Sequence, residues 1–146
     1  MRITVLGAAG NVGSRIVKEA LSRGHKVTGV MRDATRLNEL HPDIKKEVGD
    51  AAHPADVVRL SQGQDLLISA TRPQPGNEKE LLKMTQSLLA GAAQSGVRLL
   101  LVGGAGGLSV PGKPDQLVVD DPIYVAPAWR DIALACTQQL ALCRAD

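Results

Sequence analysis

Val5-Leu6-Gly7-Ala8-Ala9-Gly10-Asn11-Val12-Gly13 decides how the rest of this chain is read. An apolar run, Ile3 to Leu6, leads into it, and a helical pattern leads out, with Val12, Ile16, Val17, Ala20 and Leu21 on one stripe. Strand, glycine-rich turn and helix, in that order, form a phosphate-binding turn. The first helical N–H groups have no partner within the helix, and together with the helix dipole they favour an anion. Gly7 permits the tight turn, Gly10 removes a side chain where a phosphate would sit, and Gly13 lets the helix pack close to the sheet. The Gly7-x-x-Gly10-x-x-Gly13 spacing differs from the GxGxxG of typical dehydrogenases. Its context therefore carries the reading as a dinucleotide site, a merely tight strand-to-helix turn being the alternative.

Outward from this turn, strands and helices alternate. The first helix covers 11–23, and Gly24 stands where a glycine ends a helix. Lys26 to Met31 reads as the second strand. Asp33 can cap a short helix carrying Leu37 and Leu40, which Pro42 stops. Ile44 to Val48 reads as a third strand whose lysines, Lys45 and Lys46, suit a sheet edge. Pro54 opens a helix with Val57, Val58 and Leu60 that Gly63 ends. Asp65 to Ala70 is a buried fourth strand, followed by a loop over 71–76. A long helix begins at Asn77, with Leu81, Thr85, Leu88 and Ala92 on one stripe and Leu82, Leu89 and Ala93 beside it. Gly96 ends it, and Val97 to Val102 is the fifth strand.

Residues 108–126, with Pro111, Pro114 and Pro122, read as a long loop holding a short extended piece at Leu117 to Val119. Pro127 starts the last helix, with Ile132, Ala133, Cys136, Leu140 and Cys143 inward. The alternation predicts an α/β fold: a doubly wound parallel sheet of the Rossmann type, with helices on both faces. Its five strands run in the order 3-2-1-4-5, with the cofactor across the carboxyl ends of strands 1 and 4.

Composition narrows the functional classes. A chain of 146 residues, 44% hydrophobic and 22% charged, suits one globular domain. The net charge of +2, the lack of a basic run, and a single Trp, a single Tyr and no Phe argue against nucleic acid. No apolar segment approaches the roughly 20 residues of a membrane span, and the chain enters its first strand without a signal-peptide pattern. Cys136 and Cys143 stand seven apart in one helix. That is a rise of about 10.5 Å, beyond disulfide reach, so two free thiols imply a reducing, cytoplasmic setting. His25, His41 and His53 sit in separate connections with no metal spacing, and Ser109 lacks a GxSxG context, so no metal site is expected.

Several residues at strand ends could touch a nucleotide. A site preferring NAD usually places a carboxylate after the second strand, to accept from the ribose 2′-hydroxyl. This chain has Arg32 there, and a guanidinium would pair with a 2′-phosphate instead, which argues for NADP(H). Asp33 next door weakens that argument and keeps NAD open, as does reading Arg32 as a solvated surface residue. Asp50, after the third strand, could accept from the adenine amino group. Ala70 and Thr71 should line the cofactor's far half, and Arg72 could meet phosphate or an acidic substrate, or be solvated.

With these pieces in place the chain resembles the atypical short-chain dehydrogenase/reductase group, NAD(P)-binding proteins close to NmrA-like regulators and to biliverdin-IXβ/flavin reductases. The resemblance rests on the opening turn, Val30-Met31-Arg32-Asp33, Gly49-Asp50, Leu67-Ile68-Ser69-Ala70, and Gly96-Val97 through Leu101-Val102-Gly103-Gly104-Ala105-Gly106. It implies that Ala9, Gly10, Asn11 and Val12 contact the pyrophosphate, Arg32 the 2′-phosphate and Asp50 the adenine. It further implies that Ala70, Thr71 and Arg72 meet the nicotinamide-side ribose, and that the turn from Gly103 to Gly106 floors the nicotinamide pocket. Members of the group usually continue with a further strand. The resemblance thus implies one domain over 1–146, cut short at its C-terminal end, with an apolar fifth strand that loop 108–126 or a second copy would cover.

The catalytic residues are not identifiable. Ordinary members of the wider family pair a Tyr with a Lys four residues on, the Lys lowering the tyrosine's pKa. Here Tyr124 is followed at that distance by Ala128, no lysine follows Lys113, and Ala105 stands where the accompanying Ser would be. The expected activity is NADPH-dependent hydride transfer to a small planar, flavin-like acceptor, which needs stacking more than a protein acid. The alternative is a non-enzymatic NADP(H)-binding redox sensor. An epimerase acting by transient oxidation ranks last, for want of proton-handling side chains.

Overall fold

The apolar run that precedes the glycine turn is the central strand of a five-stranded sheet. The structure, a computed structural model, describes all 146 residues. It divides into two compact units: Met1–Arg72 with Gln86–Val102, and Pro73–Thr85 with Gly103–Asp146.

In the first unit, β1 (Arg2–Leu6) lies between β2 (Lys26–Met31) and β4 (Leu66–Ser69), while β3 (Lys45–Val48) and β5 (Arg98–Leu101) form the edges. All four pairings are parallel and the order is β3-β2-β1-β4-β5, as the alternation of elements predicts. Both faces of β1 are covered. Ile3 and Val5 pack in one cluster with Val27, Ile68, Leu40 and Ile44, and with Val17 and Ala20 of α1 (Asn11–Ser22). On the other face Thr4 is fully buried, its hydroxyl donating to the Leu60 carbonyl of α2 (Pro54–Ser61) at 3.0 Å. That bond satisfies a hydroxyl which would otherwise be buried at a cost. The lysines of β3 sit at an edge, as expected. The opposite edge, β5, leaves Leu100 47% exposed.

The register brings the carboxyl ends of the strands level. Leu6 pairs with Val30 and with Ser69, Met31 with Val48, and Ser69 with Leu101. Three bonds just past these pairs carry the ladder one step on: Gly49 N–H to Met31 O at 3.0 Å, Ala70 N–H to Leu6 O at 3.0 Å, and Val102 N–H to Ser69 O at 2.9 Å. Gly7, Arg32, Asp50 and Ala70 therefore leave the sheet at its carboxyl end.

Two details of the sequence reading change here. The buried stripe of α1 is Gly13, Val17 and Ala20, with Ile16 and Leu21 half-buried, while Val12 is 48% exposed. The long helix α3 (Glu80–Ser95) starts after a turn over 77–80. It buries Leu81, Thr85, Leu88 and Ala92 as predicted, but Ala93 is exposed and Met84 is buried.

In the second unit, the stretch read as a loop contains an antiparallel ribbon, β6 (Ser109–Val110) with β7 (Lys113–Leu117). The extended piece thus precedes the expected 117–119, and Val118–Asp120 is a 3-10 turn instead. The last helix, α4 (Arg130–Ala145), follows a 3-10 turn at Pro127–Trp129. Its fully buried positions are Ala135 and Gln139; the expected Ile132, Ala133, Cys136, Leu140 and Cys143 are half-buried. Gln139 is buried because its Nε2 donates to Thr85 Oγ1 at 3.1 Å, and that hydroxyl in turn donates to the Leu81 carbonyl at 2.7 Å. No helix is long and apolar enough to cross a membrane.

Candidate functional site

The glycine turn is built by close backbone approaches. Gly7 has φ +77°, and a Cβ there would lie 2.7 Å from the Ala70 carbonyl oxygen, so both conformation and space require glycine. Gly10 N–H donates to Gly7 O at 3.0 Å, and Ser14 N–H to Gly10 O at 2.9 Å, which opens α1. Gly13 meets the turn itself: a Cβ there would lie 2.1 Å from Gly7 O and 3.0 Å from the Ala8 Cα. The sequence reading assigned Gly13 to helix–sheet packing. The structure assigns it to packing of the helix on the turn.

The mouth of α1 is bare. No side chain caps the helix at Gly10, and no acidic residue occupies its first turn. Gly10, Asn11 and Val12 are exposed and Ala9 is half-buried. Around the space a Gly10 side chain would occupy, only Gly7 O comes within 4 Å. Such an end offers unpaired N–H groups and the positive end of the dipole to an anion.

At the same end of the sheet stand the residues that follow β2, β3 and β4. Arg32 is exposed and makes no hydrogen bond or ion pair. Asp33 turns instead to its own chain: one oxygen accepts from the Thr35 hydroxyl at 2.6 Å and from the Thr35 N–H at 2.9 Å. These two bonds, the hydroxyl's first, hold its carboxyl below the usual carboxylate range. They also make it the cap of the 3-10 turn Ala34–Glu39, as its position before that turn suggests. Asp50 is half-buried, and its Oδ1 accepts from the Ala52 N–H at 2.9 Å. Ala70 is half-buried, the Thr71 hydroxyl shares a hydrogen bond with that of Ser69 at 2.8 Å, and Arg72 is exposed.

The first unit thus brings together Gly7, Ala9, Gly10, Asn11, Val12, Gly13, Arg32, Asp50, Ala70, Thr71 and Arg72. Gly103 belongs to the second unit, where the glycine run packs on α4. A Cβ on Gly104 would lie 3.0 Å from that of Cys136, and one on Gly106 2.9 Å from Thr137 Oγ1. Tyr124 and Trp129, the chain's two aromatic residues, are 53% and 60% exposed in that unit.

The sequence reading missed the ties behind Asp50. Its N–H donates to Asp56 Oδ2 at 3.0 Å, and Arg59 donates to Asp56 Oδ1 at 3.0 Å. The first bond, then the second, keeps the Asp56 carboxyl below its ordinary range. The three-residue spacing of Asp56 and Arg59 signals an intrahelical pair. Nothing local signals the second oxygen's partner.

A family described as NAD(P)H-binding matches residues 7–136. The chain is 33% identical over 132 residues to the uncharacterised protein YwnB of Bacillus subtilis (strain 168), a match covering 85% of this chain and 57% of YwnB. It is 29% identical over 143 residues to a 3-diazoavenalumate denitrifying reductase of Streptomyces sp, covering 88% of this chain and 47% of that protein. Among solved structures, a Streptococcus pneumoniae TIGR4 protein provisionally named an NADH-flavin reductase superposes with a TM-score of 0.79 at 27% identity, over 99% of this chain and 66% of its own. The chain therefore spans about half the length of these two curated relatives.

Proposed function

The chain belongs to the NAD(P)H-binding family, and on that premise we propose that it is an NADP(H)-dependent oxidoreductase passing hydride to a small planar, flavin-like acceptor. Arg32 carries the choice of cofactor. It stands directly after β2 with no partner of its own, while the acid beside it is engaged by Thr35. A guanidinium so placed takes a 2′-phosphate through paired, charge-assisted hydrogen bonds.

The other residues suit a dinucleotide equally well. The uncapped start of α1, from Ala9 to Gly13, would hold the pyrophosphate on backbone N–H groups. Asp50 keeps one carboxylate oxygen without a partner, and that acceptor suits the adenine amino group. Ala70, Thr71 and Arg72 would flank the nicotinamide-side ribose. Bound there, the dinucleotide supplies the hydride. Ala128, not a lysine, stands four residues beyond Tyr124, which favours a reaction without a Tyr–Lys proton relay. Its residues contribute orientation, and solvent supplies the proton. Cys136 and Cys143, seven residues apart on α4, suit a reducing, cytoplasmic setting.

The test is NADPH oxidation, followed by its near-ultraviolet absorbance, with FMN or riboflavin as acceptor. We expect turnover above the free-flavin background. Nucleotide binding without turnover would replace this reading with a non-enzymatic NADP(H) sensor, which Ala128 in place of a lysine equally suits.

A further inference from the structure

We infer that Asp56 and Arg59 of α2 are positioning residues that hold Asp50 to read the 6-amino group of the cofactor's adenine. This rests on the cofactor reading above and assigns work to residues away from the strand ends.

The loop over 49–53 is tied from two helices, with α2 anchored in turn to the end of β3. From α2, Asp56 Oδ2 accepts the Asp50 N–H at 3.0 Å. Arg59 spans from Asp56 Oδ1, at 3.0 Å, to the Val48 carbonyl at the end of β3, at 2.7 Å, and lies 3.5 Å from Glu47 Oε2. From α3, the Ser87 hydroxyl donates to the Ala52 carbonyl at 2.9 Å. Within the loop, Asp50 Oδ1 accepts from the Ala52 N–H at 2.9 Å, and the Asp50 carbonyl accepts from the His53 N–H at 3.1 Å.

These bonds fix the Asp50 backbone and one carboxylate oxygen. The other oxygen is left without a partner. A carboxylate only accepts, so its natural partner on a purine is the exocyclic amino group. A loop fixed before binding pays little ordering entropy on binding, which turns one hydrogen bond into selectivity. Asp56 makes the tie a charged one, since the Asp50 N–H and the Arg59 guanidinium both favour its ionised form.

The experiment titrates the protein with NADPH and with reduced nicotinamide hypoxanthine dinucleotide phosphate, reading the fluorescence of the reduced nicotinamide. The analogue carries a carbonyl in place of the 6-amino group. Wild type should bind NADPH about tenfold more tightly than the analogue, the scale of one hydrogen bond to a charged group. Asp56→Ala should bring that preference below about twofold, chiefly by weakening NADPH. Arg59→Met keeps the packing of the stem and removes the clamp; on a half-exposed residue it provides a variant that folds. It should reduce the preference to about threefold. Equal weakening of both nucleotides, or an unchanged preference in Arg59→Met, would overturn the inference and leave the ties merely structural. Absence of binding to either nucleotide by wild type would instead remove the cofactor reading, and this inference with it.

Discussion

Gly13→Ala is expected to destabilise the chain by about 3 kcal/mol, the reverse of what alanine does inside an ordinary helix. There the exchange gains about 1 kcal/mol, because glycine loses more backbone freedom on folding. Here the added methyl has no space. It would lie 2.1 Å from Gly7 O, 2.8 Å from the Gly7 carbonyl carbon and 3.0 Å from the Ala8 Cα, all backbone atoms that cannot rotate away. Either α1 lifts off the turn or the turn opens, and both displace the N–H groups at the helix start. Urea denaturation followed by circular dichroism measures the loss, and the same variant should fail to bind nucleotide. A midpoint at or above the wild-type value would mean that the turn is looser than this geometry requires.

Arg32→Ala should weaken NADPH binding about thirtyfold and change NADH binding by less than about twofold, since a charge-assisted pair contributes roughly 2 kcal/mol. The side chain is exposed and has no partner, so its removal breaks no bond within the protein. Stability should therefore hardly move, which separates a ligand effect from a folding effect. Arg32→Lys should fall between, because an ammonium keeps the charge and loses the two-pronged geometry. Equal losses for the two nucleotides would show that Arg32 does not read the 2′-phosphate. The asymmetry follows from the neighbouring acid: with Asp33 committed to Thr35, the end of β2 presents a cation to whatever binds there.

Much of this was legible in the residues because the informative features are local. The run Ile3 to Leu6 and the helix after it carry their periods openly, and Gly7 and Gly13 mark positions where backbones touch. Lys45 and Lys46 announced an edge strand, and Asp33 a cap. The ribbon of the second unit was hidden by its prolines. Pro111 precedes Gly112, which turns the chain at φ +76°. Pro114 sits in β7 of a two-stranded ribbon, where a missing N–H is tolerated on the side that pairs with no strand. In α4 the polar Gln139 joins the inward face, and its bond to Thr85, far away in sequence, offsets the cost of its burial. The ties around Asp50 are of the same kind. An acid six residues downstream and a serine on α3 reach the loop through folding alone.

Calorimetric titration of the purified chain with NADPH, and separately with NADH, tests most directly whether the bare start of α1 and the unpartnered Arg32 form a dinucleotide site. The account predicts saturable binding of one nucleotide per chain, tighter for NADPH. A chain that binds neither nucleotide would contradict it.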